Sequence, residues 1–144
     1  MGTVETFVLA LSPLIGYFLG RFTKEELAAG KKWFLLAKRV LFIAIIAAFL
    51  FAHKWQLGHV VIGLTLLFAY LAFTQFRTWW FVQAVIAIAY AFTVLTDLAF
   101  VSTALIFLYG LPTGSVLAQK KNIKGALLAG AVFFGVAAIV QYFL

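Results

Sequence analysis

The sequence predicts an all-α polytopic integral membrane protein, a single six-helix transmembrane bundle with N-terminus and C-terminus both outside. Three observations predict it. Of 144 residues 66% are hydrophobic and 10% charged, and mean hydropathy is +1.13, a balance that a water-soluble domain of this length has no interior large enough to hide. The apolar residues gather into runs long enough to cross lipid. Ten of the eleven Lys and Arg fall in alternate gaps between these runs, with Lys54 alone in a gap of the other parity. Lys and Arg are retained on the cytoplasmic side during insertion, so this parity orients the chain. Spans are expected near 5–20, 36–53, 57–75, 79–95, 98–111 and 123–144, with cytoplasmic gaps at 21–39, 76–79 and 112–122.

The first run, Thr6 to Gly20, follows Glu5 and lacks the basic leader and small-residue cleavage site of a secretory signal, so it is expected to stay as a span. Met1, Gly2 and Thr6 match a loose myristoylation pattern, which an outer N-terminus makes irrelevant. Pro13 is expected to kink this helix by removing a backbone donor. Ser12, Gly16 and Gly20 recur every four residues, a small-residue face that lets helix backbones approach closely in lipid. Packing inside the bundle is its simpler use, a homodimer seam the alternative. Thr23 and Glu26 have capping-box spacing and predict a helix start. That helix is expected to run through Trp33 into Val40–Ala52, with Gly30 a candidate hinge. From Lys24 to Ala52 it would measure about 43 Å at about 1.5 Å per residue, against a hydrocarbon core of roughly 30 Å, so its first turns lie at or project from the membrane surface.

The third span ends at Arg77, Thr78, Trp79 and Trp80. From Trp79 to Leu111 the sequence is nearly all apolar, and as one helix it would reach about 50 Å, too long for an ordinary tilt. Thr96 and Asp97, both competent helix caps, mark the expected turn between spans four and five. Gly110, Pro112, Thr113 and Gly114 predict a break that ends span five. In the last span Ala126 with Gly130 and Ala131 with Gly135 form further small-residue pairs. Trp33, Trp55, Trp79 and Trp80 all fall at expected boundaries, as an aromatic belt requires. A parallel repeat of spans one and two in spans five and six has few identities beyond alanine and is not expected.

Chemistry is sparse. Cysteine is absent, which excludes disulfides, thiol nucleophiles and thiolate metal sites. There is no phosphate loop, no paired-histidine helix motif and no nucleophile elbow, so neither enzymatic activity nor a cofactor is expected. The net charge of +7 is accounted for by topology, and without a basic aromatic module nucleic-acid binding is not expected. Of the four acids, Glu25 and Glu26 suit a helix start. Asp97 alone lies within an apolar stretch and is the candidate for ion or proton handling, with a solvated turn cap as the competing role. His53, His59, Glu5 and Asp97 map to the outer side, but flanking histidines are more often interfacial, and no metal site is expected. Thr65, Thr74, Gln75, Gln83, Thr93, Ser102 and Thr103 suit interhelical hydrogen bonds or a polar path.

The basic segment is the stronger signal. Lys24, Lys31 and Lys38 are seven apart, Lys32 and Arg39 repeat that spacing, and Lys120, Lys121 and Lys124 join them on the cytoplasmic face. They suit anionic lipid headgroups or a phosphate-bearing ligand, beside the ordinary positive-inside role with snorkelling side chains. The function expected is an oligomeric transporter or channel for a small solute or ion, in a prokaryotic plasma membrane. The alternative is a non-catalytic scaffold or assembly subunit of a larger membrane complex. Expected partners are the bilayer, anionic lipid, and a second copy or a membrane subunit.

Overall fold

A computed structural model of the chain describes residues 3–75 and 79–144. They form six helices: α1 (Thr3–Phe22), α2 (Lys24–Ala52), α3 (Leu57–Gln75), α4 (Trp79–Thr93), α5 (Ala99–Gln119) and α6 (Ile123–Phe143). Side chains at 3, 24–29, 31 and 73–79 lie outside the description, as do all of 1, 2 and 76–78. The myristoylation pattern, the gap at 76–79 and the side chains of Lys24, Lys31, Thr74, Gln75 and Trp79 therefore fall outside the described residues.

The long helix read from Lys24 to Ala52 is one helix of 29 residues, with no break at Gly30. Its start has a different cause from the one expected. The Thr23 hydroxyl donates to the Leu19 carbonyl at 3.0 Å and makes no capping bond into α2. One residue separates the two helices, so the hydroxyl is still within reach of the last turn of α1, where Ser and Thr side chains bond back to the carbonyl four residues earlier.

The break expected at Gly110 to Gly114 is absent: α5 runs without interruption from Ala99 to Gln119, with Pro112 inside it. In an apolar surrounding, a broken helix would leave several backbone groups without partners, whereas one interior proline removes one donor. The glycines here serve close packing. The connection shrinks to residues 120–122. Lys121 takes a left-handed φ of 52°, and the Asn122 side chain accepts from the Gly125 amide at 2.8 Å to cap α6.

Among the described residues four helices, α1, α2, α5 and α6, are long and apolar enough to cross a membrane. With 15 residues, α4 measures about 22 Å at about 1.5 Å per residue, less than the roughly 30 Å hydrocarbon core. Its apolarity has another reason. Ile86, Ala87, Tyr90 and Ala91 are fully buried, because α4 lies inside the bundle between α2, α3 and α6.

Side-chain meetings give the directions. Along α1 and α5, Ser12 meets Gly110, Gly16 meets Leu111 and Gly20 meets Ser115, a parallel pair. Between α1 and α6, Phe7 meets Phe134 and Ala10 meets Gly130, an antiparallel pair. Between α2 and α3, Leu50 meets Gly63 and Phe42 stacks on Tyr70, again antiparallel. One end of the bundle, the terminal end, therefore carries Glu5, the turn after α2, the turn after α4 and Leu144. The other, the basic end, carries Thr23 and Lys120 to Asn122.

Candidate functional site

The small-residue face of α1 is occupied within the chain. A Cβ at Gly16 would strike the Leu111 backbone, and one at Gly114 would strike the Pro13 carbonyl and, at 2.5 Å, the Tyr17 amide nitrogen. Such backbone proximity explains glycine at both positions. Hydroxyls along this seam find carbonyls. Ser12 donates to Leu9 at 2.7 Å, while the single Ser115 proton is shared between the Gly16 carbonyl across the seam at 3.1 Å and the Leu111 carbonyl within α5 at 3.0 Å. Ala126 and Gly130 of α6 are likewise buried, Gly130 against the Ala10 carbonyl. The other pair in α6 does not pack: Ala131 is exposed, and a Cβ at Gly135 would meet nothing within 4 Å. Residues 131 and 135 project from a different side of α6 than 126 and 130, and only the latter side faces α1.

At the terminal end the same helices behave differently. Thr6, Tyr90 and Ser102 are at most 2% exposed, yet their hydroxyls have no hydrogen-bond partner, and neither has the buried Oε2 of Glu5. Three of these groups belong together. The Tyr90 phenol feels the Glu5 charge and lies within loose hydrogen-bonding reach of the Thr6 and Thr103 hydroxyls, though neither contact has full hydrogen-bond geometry. Thr103 spends its own proton on the Ala99 carbonyl at 2.8 Å and keeps its lone pairs available. The α1 to α5 register that sets Ser12 against Gly110 also brings Glu5 level with Thr103. On the remaining side the Tyr90 ring packs at 5.7 Å against Phe133 of α6. A half-buried carboxylate thus opens onto buried hydroxyls from α1, α4 and α5. Buried polar groups normally find partners, so such a set marks a place prepared for something else.

Asp97 is elsewhere. It is exposed in the turn between α4 and α5, and the residue that caps α5 is Leu98, with no side-chain capping bond. The turn is where the sequence placed it. The cap is supplied by backbone, with the Thr96 and Leu98 carbonyls accepting from Ala99 and Ser102 at 3.0 Å each. The sequence groups Glu5 with His53, His59 and Asp97 on the outer side but does not single it out, because it stands at the edge of an apolar run. The covered Oε2 and the nearby Tyr90 phenol show that it is partly enclosed.

Near the same end His53 and His59 stack with ring centroids 3.9 Å apart and 4° between planes. The turn between them is tight enough to fold one ring onto the other, Lys54 and Trp55 both taking left-handed φ values of 49° and 54°. Burial and the neighbouring His59 lower the His53 pKa below its ordinary 6.5, against a raising contact with the Phe92 backbone. Among the described residues no three His, Asp or Glu side chains come close enough to hold a metal ion.

At the basic end Arg39, Lys32, Lys120, Lys121 and Lys124 are exposed. Lys38 turns inward, its Nζ 5.7 Å from the centroid of the buried Tyr109 ring, where the charge it feels is that of Lys120, of like sign. The ammonium is held by the face of an aromatic ring. The chain matches no protein-family profile, no curated protein and no solved structure.

Proposed function

We propose that the protein is a small multi-pass membrane transporter or channel for a small ion or solute, working as an oligomer. The observation that carries this reading is the set of unpartnered buried oxygens around Glu5 and Tyr90. Polar groups inside a membrane bundle are costly, and where they are not used in packing they belong to a pathway or a site. In this reading all six helices cross, with the short α4 shielded by its neighbours. The basic end faces the cytoplasm, following the ten-to-one division of Lys and Arg, and both termini are outside. Its exposed lysines then meet anionic headgroups. A chain of this size leaves little room for a private solute path, so the path is completed by a second copy.

A second reading, a scaffold subunit of a larger membrane complex, is favoured by α3. That helix is peripheral and exposes Val61, Leu64 and Phe68, a surface suited to another subunit as well as to lipid. Reconstitution separates the two. The transport reading expects an oligomer in native mass spectrometry and ion or solute flux in liposomes. A strict monomer without flux contradicts it, and stoichiometric recovery with an unrelated subunit establishes the scaffold.

A further inference from the structure

We propose that Glu5, Thr6, Tyr90 and Thr103 form a binding site for one monovalent metal cation of the sodium class, reached from the terminal end of the bundle. The inference deepens the transport reading and rests on it only for the claim that the bound cation is moved.

The ligand class follows from the donor inventory. A carboxylate accepts only, and hydroxyls both accept and donate. Glu5 Oε2, Thr6 Oγ1 and Tyr90 Oη are each buried and without a hydrogen bond of full geometry, and the Thr103 oxygen within looser reach of Tyr90 has already placed its proton on Ala99. Four oxygens from three helices with lone pairs to spare are what a hard cation takes as ligands. An anion is repelled by the carboxylate. Divalent cations in protein sites are generally held by more than one carboxylate, whereas a single carboxylate balances a single positive charge. Water would satisfy the hydroxyls but leave the Glu5 carboxylate without a counter-charge at its covered Oε2, where an unpaired charge is expensive.

The wall is apolar on the α6 side, with Phe133 against Tyr90 and Phe134 edge-on to Phe7 at 6.3 Å. The way in is past Glu5 itself, which is half-buried while its Oε2 is fully covered. One oxygen of the carboxylate is then available to a hydrated ion and the other to the same ion once stripped of water. The parallel register of α1 and α5 keeps Glu5 and Thr103 level, because the glycine seam below them holds the two helices together.

The test uses the full chain in nanodiscs, with thermal unfolding followed by tryptophan fluorescence while sodium chloride replaces choline chloride at constant ionic strength. Cation binding to the folded state raises Tm in a saturable way by mass action. The expected result is a rise with sodium and none with choline. E5Q should abolish that rise while unfolding in choline no lower than the parent, since a neutral amide is less costly to bury. T6A and Y90F should each raise the half-saturating sodium concentration by about tenfold, the equivalent of one lost ligand. Identical curves in sodium and choline would overturn the site, as would a Tm that responds to pH alone or a full sodium response in E5Q. Should E5Q fail to fold, unchanged half-saturation in both T6A and Y90F overturns it instead. A sodium response without flux in liposomes removes the transport reading and leaves the site standing. Flux without a sodium response does the reverse.

Discussion

Helices α1 and α5 run side by side, and the two halves of their contact obey opposite rules. Toward the basic end, Gly16, Gly20, Gly110 and Gly114 bring backbones together, and the Ser12 and Ser115 hydroxyls all find carbonyls. Toward the terminal end the glycines stop, Glu5, Thr6 and Thr103 stand on the pair with Tyr90 of α4 beside them, and the Thr6, Glu5 and Tyr90 oxygens lack a hydrogen bond of full geometry. In lipid, association rests on van der Waals packing and on satisfied polar groups. The glycine half supplies both and fastens the pair. The terminal half packs Leu9, Ala99 and Ile106 and satisfies the Thr103 hydroxyl, but leaves other polar groups unsatisfied, and the closest backbone contact lies in the seam below.

The comparison breaks most readily at Gly114. Gly114→Leu drives a side chain into the Pro13 carbonyl and the Tyr17 amide, which are backbone and have nowhere to go. We expect a loss of about 3 kcal/mol or more, read as failure to elute as a monodisperse species. Gly135→Leu is the control: nothing lies within 4 Å, so stability should stay within about 0.5 kcal/mol of the parent or rise through better helix propensity. Equal damage from the two would mean that the seam does not hold the bundle.

A smaller effect of opposite sign sharpens the contrast. Ser115→Ala removes a hydroxyl that bonds Gly16 and Leu111 and should cost about 1 kcal/mol. Tyr90→Phe removes a buried hydroxyl that has no partner, so in choline buffer it should be neutral or stabilising by about 1 kcal/mol. Unfolding of the two variants side by side in nanodiscs checks the difference. A Tyr90→Phe loss as large as that of Ser115→Ala would mean that the phenol is bonded after all.

The smallest expected effect lies at the α2 to α3 turn. His53 titrates below its ordinary 6.5 in the folded protein, so the folded state disfavours the proton that the unfolded chain accepts. The associated stability is full above pH 6.5 and is lost as pH falls through the lowered folded value. Tm should therefore drop modestly on acidification below pH 6.5, and His53→Gln should flatten that part of the profile. An identical slope in the variant would assign the effect to another group.

Helix placement was legible in the sequence where hydrophobic run length decided it, as in α2 from Lys24 to Ala52, and where a polar pair interrupted an apolar run, as at Thr96 and Asp97. It was illegible where one residue type serves two ends. Gly110, Pro112 and Gly114 spell a break by local rules, but the close backbone of α1 turns them into packing surface, a tertiary fact. The apolarity of α4 had the same ambiguity, since burial in protein and exposure to lipid select the same side chains. At the site, Asp97 drew attention by standing inside an apolar stretch, while Glu5 stood at the edge of one. Neither position reveals depth, which is set by where Tyr90 and Thr103 arrive from helices more than eighty residues away in the chain.

In the proposed transport reading Glu5, and not Asp97, is the acid that ion movement requires. Paired flux measurements on liposomes holding the parent, Asp97→Asn or Glu5→Gln, matched for folded protein by their unfolding curves, test it most directly. The account predicts parental flux for Asp97→Asn, whose carboxylate is exposed in a turn, and loss of flux for Glu5→Gln. Flux that survives Glu5→Gln and disappears with Asp97→Asn would contradict it.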